Sequence, residues 1–340
     1  MSRTAGLVFV TLIRICATAA AADMAARSMD VAKEPYRGWP NTYRLSNGLI
    51  ETRVVTDVGP RIMDLRPSGG TNLLHQREAP GGSNEDHYMF RGGWRLWVAP
   101  ERPDTTYALD NSACTAEVRD GSVWVVAPPQ PAAGIQKTIA VSLPAGEPRL
   151  RLTSYIKNVS SQPLTYAAWS LPMLEPGGRA FIPLDVGPLT AFDATRRLIL
   201  WSYAHMQDPR YQLGDRLVQI DHAQVKPAAP SPSGRRDDES KIGVDSTQGW
   251  AAYLLNGTLF LERFRHEATG PYPDGGATIE VYSNSEFLEL EHLGPLTTIK
   301  PGEEIVMRED WWLFPIVTVP LAESEALETL QRYLSKAPPP

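Results

Sequence analysis

From residue 42 onward, apolar and polar positions alternate in short runs separated by turn residues, the period-two pattern of half-buried strands. TYRLSNGLIETRVV (42–55) sets Ser46-Asn47-Gly48 between two such runs; TAEVRDGSVWVVA (115–127) does so with Asp120-Gly121, and WAAYLLNGTLFLERF (250–264) with Asn256-Gly257. Such residues tolerate the positive φ that tight turns between twisted strands require, so three β-hairpins are predicted. Further runs at IQKTIAVSL, RLRLTSYIKNV, LTYAAWSL, RLILWSYA, RLVQIDHA, ATIEVYS and EEIVMREDWWLF bring the strand count above ten. One helix is predicted over 321–335, LAESEALETLQRYLS, where Leu321, Leu327, Leu330 and Leu334 approximate helical spacing and acidic residues lie early, as the helix dipole favours. So many strands in one open sheet would twist too strongly, which implies two packed sheets. The expected architecture is all-β: an antiparallel two-sheet domain over 41–320 with a short C-terminal helix.

The first residues break this pattern. Ser2-Arg3, the apolar AGLVFVTLI (5–13) and a small-residue run containing Ala20-Ala21-Ala22 form a basic, apolar, then cleavable sequence. Residues 1–22 are therefore predicted to be a signal peptide and 23–40 a flexible N-terminal segment, which makes the protein periplasmic or secreted. The apolar part is too short for a membrane span. Removing the leader takes Cys16 with it and leaves Cys114 as the only cysteine, so no intrachain disulfide is expected. PAAPSPSGRRDDES (227–240) is built of small residues and prolines followed by charges, and a mobile loop is expected there.

Charge narrows the partners. A net charge of −6, with no Lys/Arg block interleaved with aromatics, argues against nucleic acid. Phosphate-loop, dinucleotide, nucleophile-elbow and H-E-x-x-H signatures are absent, and the six histidines are dispersed along the chain. Neither a metal nor another cofactor is expected, and nothing in the sequence sets an oligomeric state.

What stands out is aromatic and acidic. GGWRLWVAPE (92–101) holds Trp94, Arg95, Trp97 and Glu101; Trp169 and Trp250 lie in other strands, and Trp311-Trp312 must point to opposite faces of theirs. A sugar presents an apolar C–H face and a rim of hydroxyls, so a saccharide site needs flat rings with carboxylates and guanidinium groups around them. Trp94, Trp97, Trp169 and Trp250 are candidate rings, with Arg61, Arg95 and Glu101 as hydroxyl partners. The alternatives are tryptophans that fill the inter-sheet core and an Arg95–Glu101 pair that is structural. EFLELEHLGPL (286–296) adds Glu289 and Glu291 on one strand face, with Leu288, Leu290 and His292 on the other. The carboxylates are either a solvated sheet edge or the floor of a concave sheet, where partial desolvation raises a carboxyl pKa into a useful range.

Taken in order, NTYRLSNGLIETRVVTDVGPRIMDL (41–65), GGWRLWVAPE, YAAWSLPMLEPGGRAFIPL (166–184), GWAAYL (249–254), YPDGG (272–276) and EFLELEHLGPLTTIKPGEEIVMREDWWLF (286–314) resemble an uncharacterised bacterial family of the galactose-mutarotase-like superfamily. The resemblance implies a large β-supersandwich with a carbohydrate site on its concave face and a saccharide as ligand. Mutarotases of the superfamily use a carboxylate base in a late strand shortly before a Pro-Gly-Glu turn. Pro301-Gly302-Glu303 makes Glu289 the best match, with Glu291 second. Their acid is a histidine; the comparable place here holds Trp169, and Trp94 stands where relatives carry another histidine. Asp274 or Lys241 would then supply the acid, with Tyr272 in the same binding set. The resemblance thus implies either a carbohydrate-binding protein or an aldose 1-epimerase-like enzyme; a protein with no ligand is the remaining reading.

Overall fold

A computed structural model describes residues 29–188, 190, 192–228 and 237–340. The expected signal peptide (1–22) lies outside the described residues, as does most of the 227–240 connection. One sheet has the order β1 (Asp30–Tyr36), β2 (Trp39–Ser46), β3 (Ile50–Val55), β4 (Arg61–Pro67), β5 (Trp94–Ala99), β10 (Leu164–Leu174), β19 (Leu288–Leu293), β18 (Ile279–Ser283), β15 (Ser240–Val244), β12 (Leu198–Leu200). Strand β20 (Thr297–Ile299) pairs with β10 off this path. The other sheet has the order β13 (Tyr211–Leu213), β14 (Leu217–Asp221), β11 (Arg179–Pro183), β16 (Trp250–Leu255), β17 (Thr258–Phe264), β21 (Glu304–Pro315), β9 (Arg149–Asn158), β8 (Ile135–Ser142), β7 (Ser122–Val126), β6 (Thr115–Arg119). Neighbouring strands run antiparallel. The three expected hairpins are β2–β3, β6–β7 and β16–β17. In the last two, both turn residues have positive φ, 50° and 68° at Asp120-Gly121 and 47° and 76° at Asn256-Gly257, the tight turn that matches strand twist.

Between the sheets lies one continuous apolar core. Leu45, Val54, Ile62, Trp94, Leu288 and Leu290 of the first sheet meet Ile139, Leu152, Phe260 and Trp311 of the second. Trp311 packs edge-on against Trp94 and Phe260, with ring centroids 6.1 and 5.7 Å apart. Helix α1 (Glu323–Leu334) covers the outer face of the second sheet, where Ala326 and Leu330 pack with Trp250, Trp312 and Phe314. Trp311 and Trp312 therefore face opposite ways, and both are buried. Among the described residues, no helix is long and apolar enough to cross a membrane.

The N-terminal segment departs from expectation. Residues 30–36 form β1 against β2 instead of a flexible lead-in, and Trp39 is buried with its Nε1 donating to Gly82 O at 2.9 Å. In the first sheet, β5 and β19 are buried on both faces. One face of each belongs to the core, so something other than the second sheet covers the opposite one.

Candidate functional site

That outer face carries the chemistry. Glu289 and Glu291 point away from the core on β19, yet they are only 7% and 1% exposed, which rules out a solvated edge. Strand β19 lies between β10 and β18, far from either end of its sheet. The β18–β19 register sets Glu280 directly opposite Glu291, and Lys241 reaches both from β15. Its Nζ is 2.6 Å from Glu280 Oε2 and 2.9 Å from Glu291 Oε2. Trp169 Nε1 also donates to Glu291 Oε2 at 2.9 Å. The ammonium is held between two indoles, 4.7 Å from the Trp169 ring and 4.6 Å from that of Trp201.

Two acids sharing one ammonium in a dry site cannot both ionise freely. Burial, helped by the neighbouring carboxyl groups, pushes Glu280 well above the usual carboxylate range and Glu291 upward too, against the opposing pull of Lys241. Burial alone would lower the Lys241 pKa, but Glu291 and Glu280 outweigh it and raise it. Lys241 thus joins two buried carboxyl groups whose pKa values are both pushed upward, an arrangement that places a cation and two hydrogen-bonding carboxyls side by side. Asp274, also raised by burial, feels the Lys241 charge from outside the cavity lining.

Arg95 forms the second ion pair, Nη2 to Glu289 Oε1 at 2.8 Å. Its guanidinium carbon lies 4.0 Å from the Trp97 ring centroid and 5.5 Å from that of Phe90. Glu101 is not its partner; it accepts a hydrogen bond from the Tyr107 hydroxyl. At the rim, Arg77 Nη1 lies 2.6 Å from Glu286 Oε2. Together these groups border a cavity of about 590 Å³, within the ~300–1,000 Å³ typical of small-molecule sites. Phe90, Tyr107, Trp201, Tyr203 and Tyr282 supply the ring surfaces that remain partly exposed.

Of the residues singled out in the sequence, Arg95, Trp97, Glu101, Trp169, Lys241, Glu289 and Glu291 meet in this cavity. Five do not. Trp94 has the opposite parity to Trp97 on β5 and points into the core, donating to Ser170 Oγ at 2.7 Å. Trp250 packs beneath α1. Arg61 is fully buried against Asp110, 2.9 Å away. Tyr272 borders a separate cavity and stacks on His266 at 5.1 Å. Asp274 is outside the lining, although it is near enough to feel the Lys241 charge and to hydrogen-bond Glu280. Trp97 and Trp169 are not open platforms either, because they pack edge-on at 5.4 Å and carry the two cations on their faces. Trp201 and Tyr203, which sequence reasoning passed over, did leave a signal: two aromatics spaced by two in RLILWSYA.

No protein-family model matches the chain, and no curated protein sequence does. Solved structures do match. A protein from Klebsiella pneumoniae subsp. pneumoniae for which aldose 1-epimerase activity is proposed superposes with a TM-score of 0.55 at 11% identity, over 93% of this chain and 90% of its own. A galactose mutarotase-like protein from Clostridium acetobutylicum gives 0.51 at 11% identity, over 85% and 99%. The fold is that of the galactose mutarotase-like proteins. Slr1438 from Synechocystis sp. PCC 6803 shares it as well, with a TM-score of 0.54 at 13% identity over 84% of this chain and 99% of that one. At these identities the mutarotase-like likeness concerns architecture: two antiparallel sheets and a terminal helix.

Proposed function

We propose that the protein binds a neutral saccharide in the cavity on the outer face of the first sheet. The observation that carries this reading is the convergence there of partly exposed rings with three ion pairs, Arg77–Glu286, Arg95–Glu289 and Lys241–Glu291. Rings offer the flat apolar surface that a pyranose C–H face stacks on, and charged donors and acceptors held in place bond its hydroxyls with little reorganisation. Each of the three cations already faces a carboxylate, which leaves no surplus positive charge for a sugar phosphate or an acidic sugar. Similarity to mutarotase-like folds supports the same class of ligand.

Binding is favoured over epimerisation. The described lining contains no histidine, and Glu289, the match to the superfamily base, already has an oxygen occupied by the Arg95 guanidinium. The Glu280–Glu291 pair, whose carboxyl pKa values are raised by burial, is the specific feature that would favour acid–base chemistry instead.

Glycan-array screening followed by calorimetry tests the reading. Trp201→Ala is expected to weaken the best saccharide about tenfold, by roughly 1–2 kcal/mol, and Glu289→Gln by a similar or larger factor. Failure of the wild-type protein to bind any neutral saccharide would refute it. Proton NMR of anomer exchange distinguishes the enzyme: exchange accelerated by wild type and not by Glu289→Gln would replace binding with catalysis. An exported protein is part of the same proposal, supported by residues 1–22 and checked by N-terminal sequencing of the mature chain.

A further inference from the structure

On the other side of β19 the core is unexpectedly polar. Glu262 of β17 projects between Phe260 and Phe264, Glu309 of β21 between Met307 and Trp311, and His292 of β19 beyond Leu288 and Leu290. All three are buried, and one ligand atom from each lies within 4.8 Å of the other two. His292 Nδ1 is 3.3 Å from Glu309 Oε1, and the imidazole stacks on Phe264 with centroids 3.6 Å apart. No hydrogen bond of good geometry reaches either oxygen of Glu262, nor Glu309 Oε2, although Glu309 and the Trp311 indole lie within looser hydrogen-bonding reach of Glu262, and Ser170 within that of Glu309. Buried carboxyl oxygens that lack well-formed hydrogen bonds are expensive, and here they belong to two carboxyl groups beside one imidazole, a mixed oxygen and nitrogen donor set.

We propose that Glu262, His292 and Glu309 form a divalent-cation site, with Zn²⁺ as the preferred ion, that ties the two sheets together behind the outer cavity. Two carboxylates and a neutral imidazole balance a +2 charge within one unit, as a site enclosed by apolar side chains requires. The ligand mixture suits a borderline cation better than Ca²⁺ or Mg²⁺, which prefer oxygen alone. Three protein ligands leave a position for water. His292 also lines a second cavity of about 350 Å³ with Ala168, Gly294 and Met307, which gives the ion a way in. Glu262 and Glu309 come from the second sheet and His292 from the first, so the ion would bridge the layers. The site does not depend on the saccharide reading, since it uses the opposite face of β19.

The test uses the full chain stripped with a chelator. Zn²⁺ titration followed by calorimetry and elemental analysis should give about one ion per chain with micromolar or tighter affinity. At a free concentration of about 100 Kd, thermal unfolding should shift upward by roughly 4 °C. Glu262→Gln and His292→Gln should each weaken binding at least tenfold. Metal-free Glu262→Gln should still unfold at or above the wild-type temperature, because it removes an acid from the core; this separates lost binding from lost folding. Absence of saturable binding of Zn²⁺, Mn²⁺ or Fe²⁺ below ~100 µM, or binding unchanged in both variants, overturns the proposal.

Discussion

Lys137 is at odds with its surroundings. It shares its strand face with Ile135 and Ile139, both inside the core, and is itself only 3% exposed. Burial lowers its pKa to about 8, with Asp110 only partly offsetting the cost of the charge. A base whose pKa falls on folding penalises the fold fully below about pH 8 and ceases to do so above its unfolded value of about 10.5. Lys137→Met is therefore expected to stabilise the protein by about 1–3 kcal/mol at pH 7 in urea unfolding, and the gain should shrink as the pH rises from 8 to 10.5. A loss of stability at pH 7 would mean that the ammonium has a structural partner. Lys241 is as deeply buried but has two carboxylates against it, and its pKa moves the opposite way.

At the scale of elements, strand parity explains what the sequence disclosed and what it hid. The side-by-side placement of Glu289 and Glu291 was legible from the period of two. Parity also separates Trp94 from Trp97 within GGWRLW, and applying it would have removed Trp94 from the binding set. Which face becomes a cavity is not local information. It depends on β15, whose Lys241 is 50 residues from Glu291, and on the connections that bring Phe90, Tyr107 and Trp201 over the strands. Fold class was more accessible, because turn chemistry and alternation are written in consecutive residues. Helix α1 follows the same logic: its leucine spacing marked the element, but only the structure identifies the outer face of the second sheet as its bed. Leu330 is 1% exposed there, so Leu330→Ala should cost about 2–4 kcal/mol. A lower urea midpoint with an unchanged slope would confirm local cavity formation, and a smaller slope would instead indicate that the helix had already detached.

Across the whole molecule, one strand serves both faces of a sheet. Strand β19 presents carboxylates outward and an imidazole inward, so the outer cavity and the inter-sheet cluster share a rigid support. The Lys241 ammonium wedged between Trp169 and Trp201 gives the cavity an optical handle. Indole emission shifts to shorter wavelength when water leaves its vicinity, and Trp201 is the partly exposed member of the pair, so an occupant should blue-shift and change the intensity of the emission. Nine tryptophans dilute the signal, so the difference between wild type and Trp201→Phe is the informative quantity. Equal spectral responses in the two proteins would assign the change to a different indole. A chain with no chromophore added thus carries its own spectroscopic reporter at the mouth of the cleft.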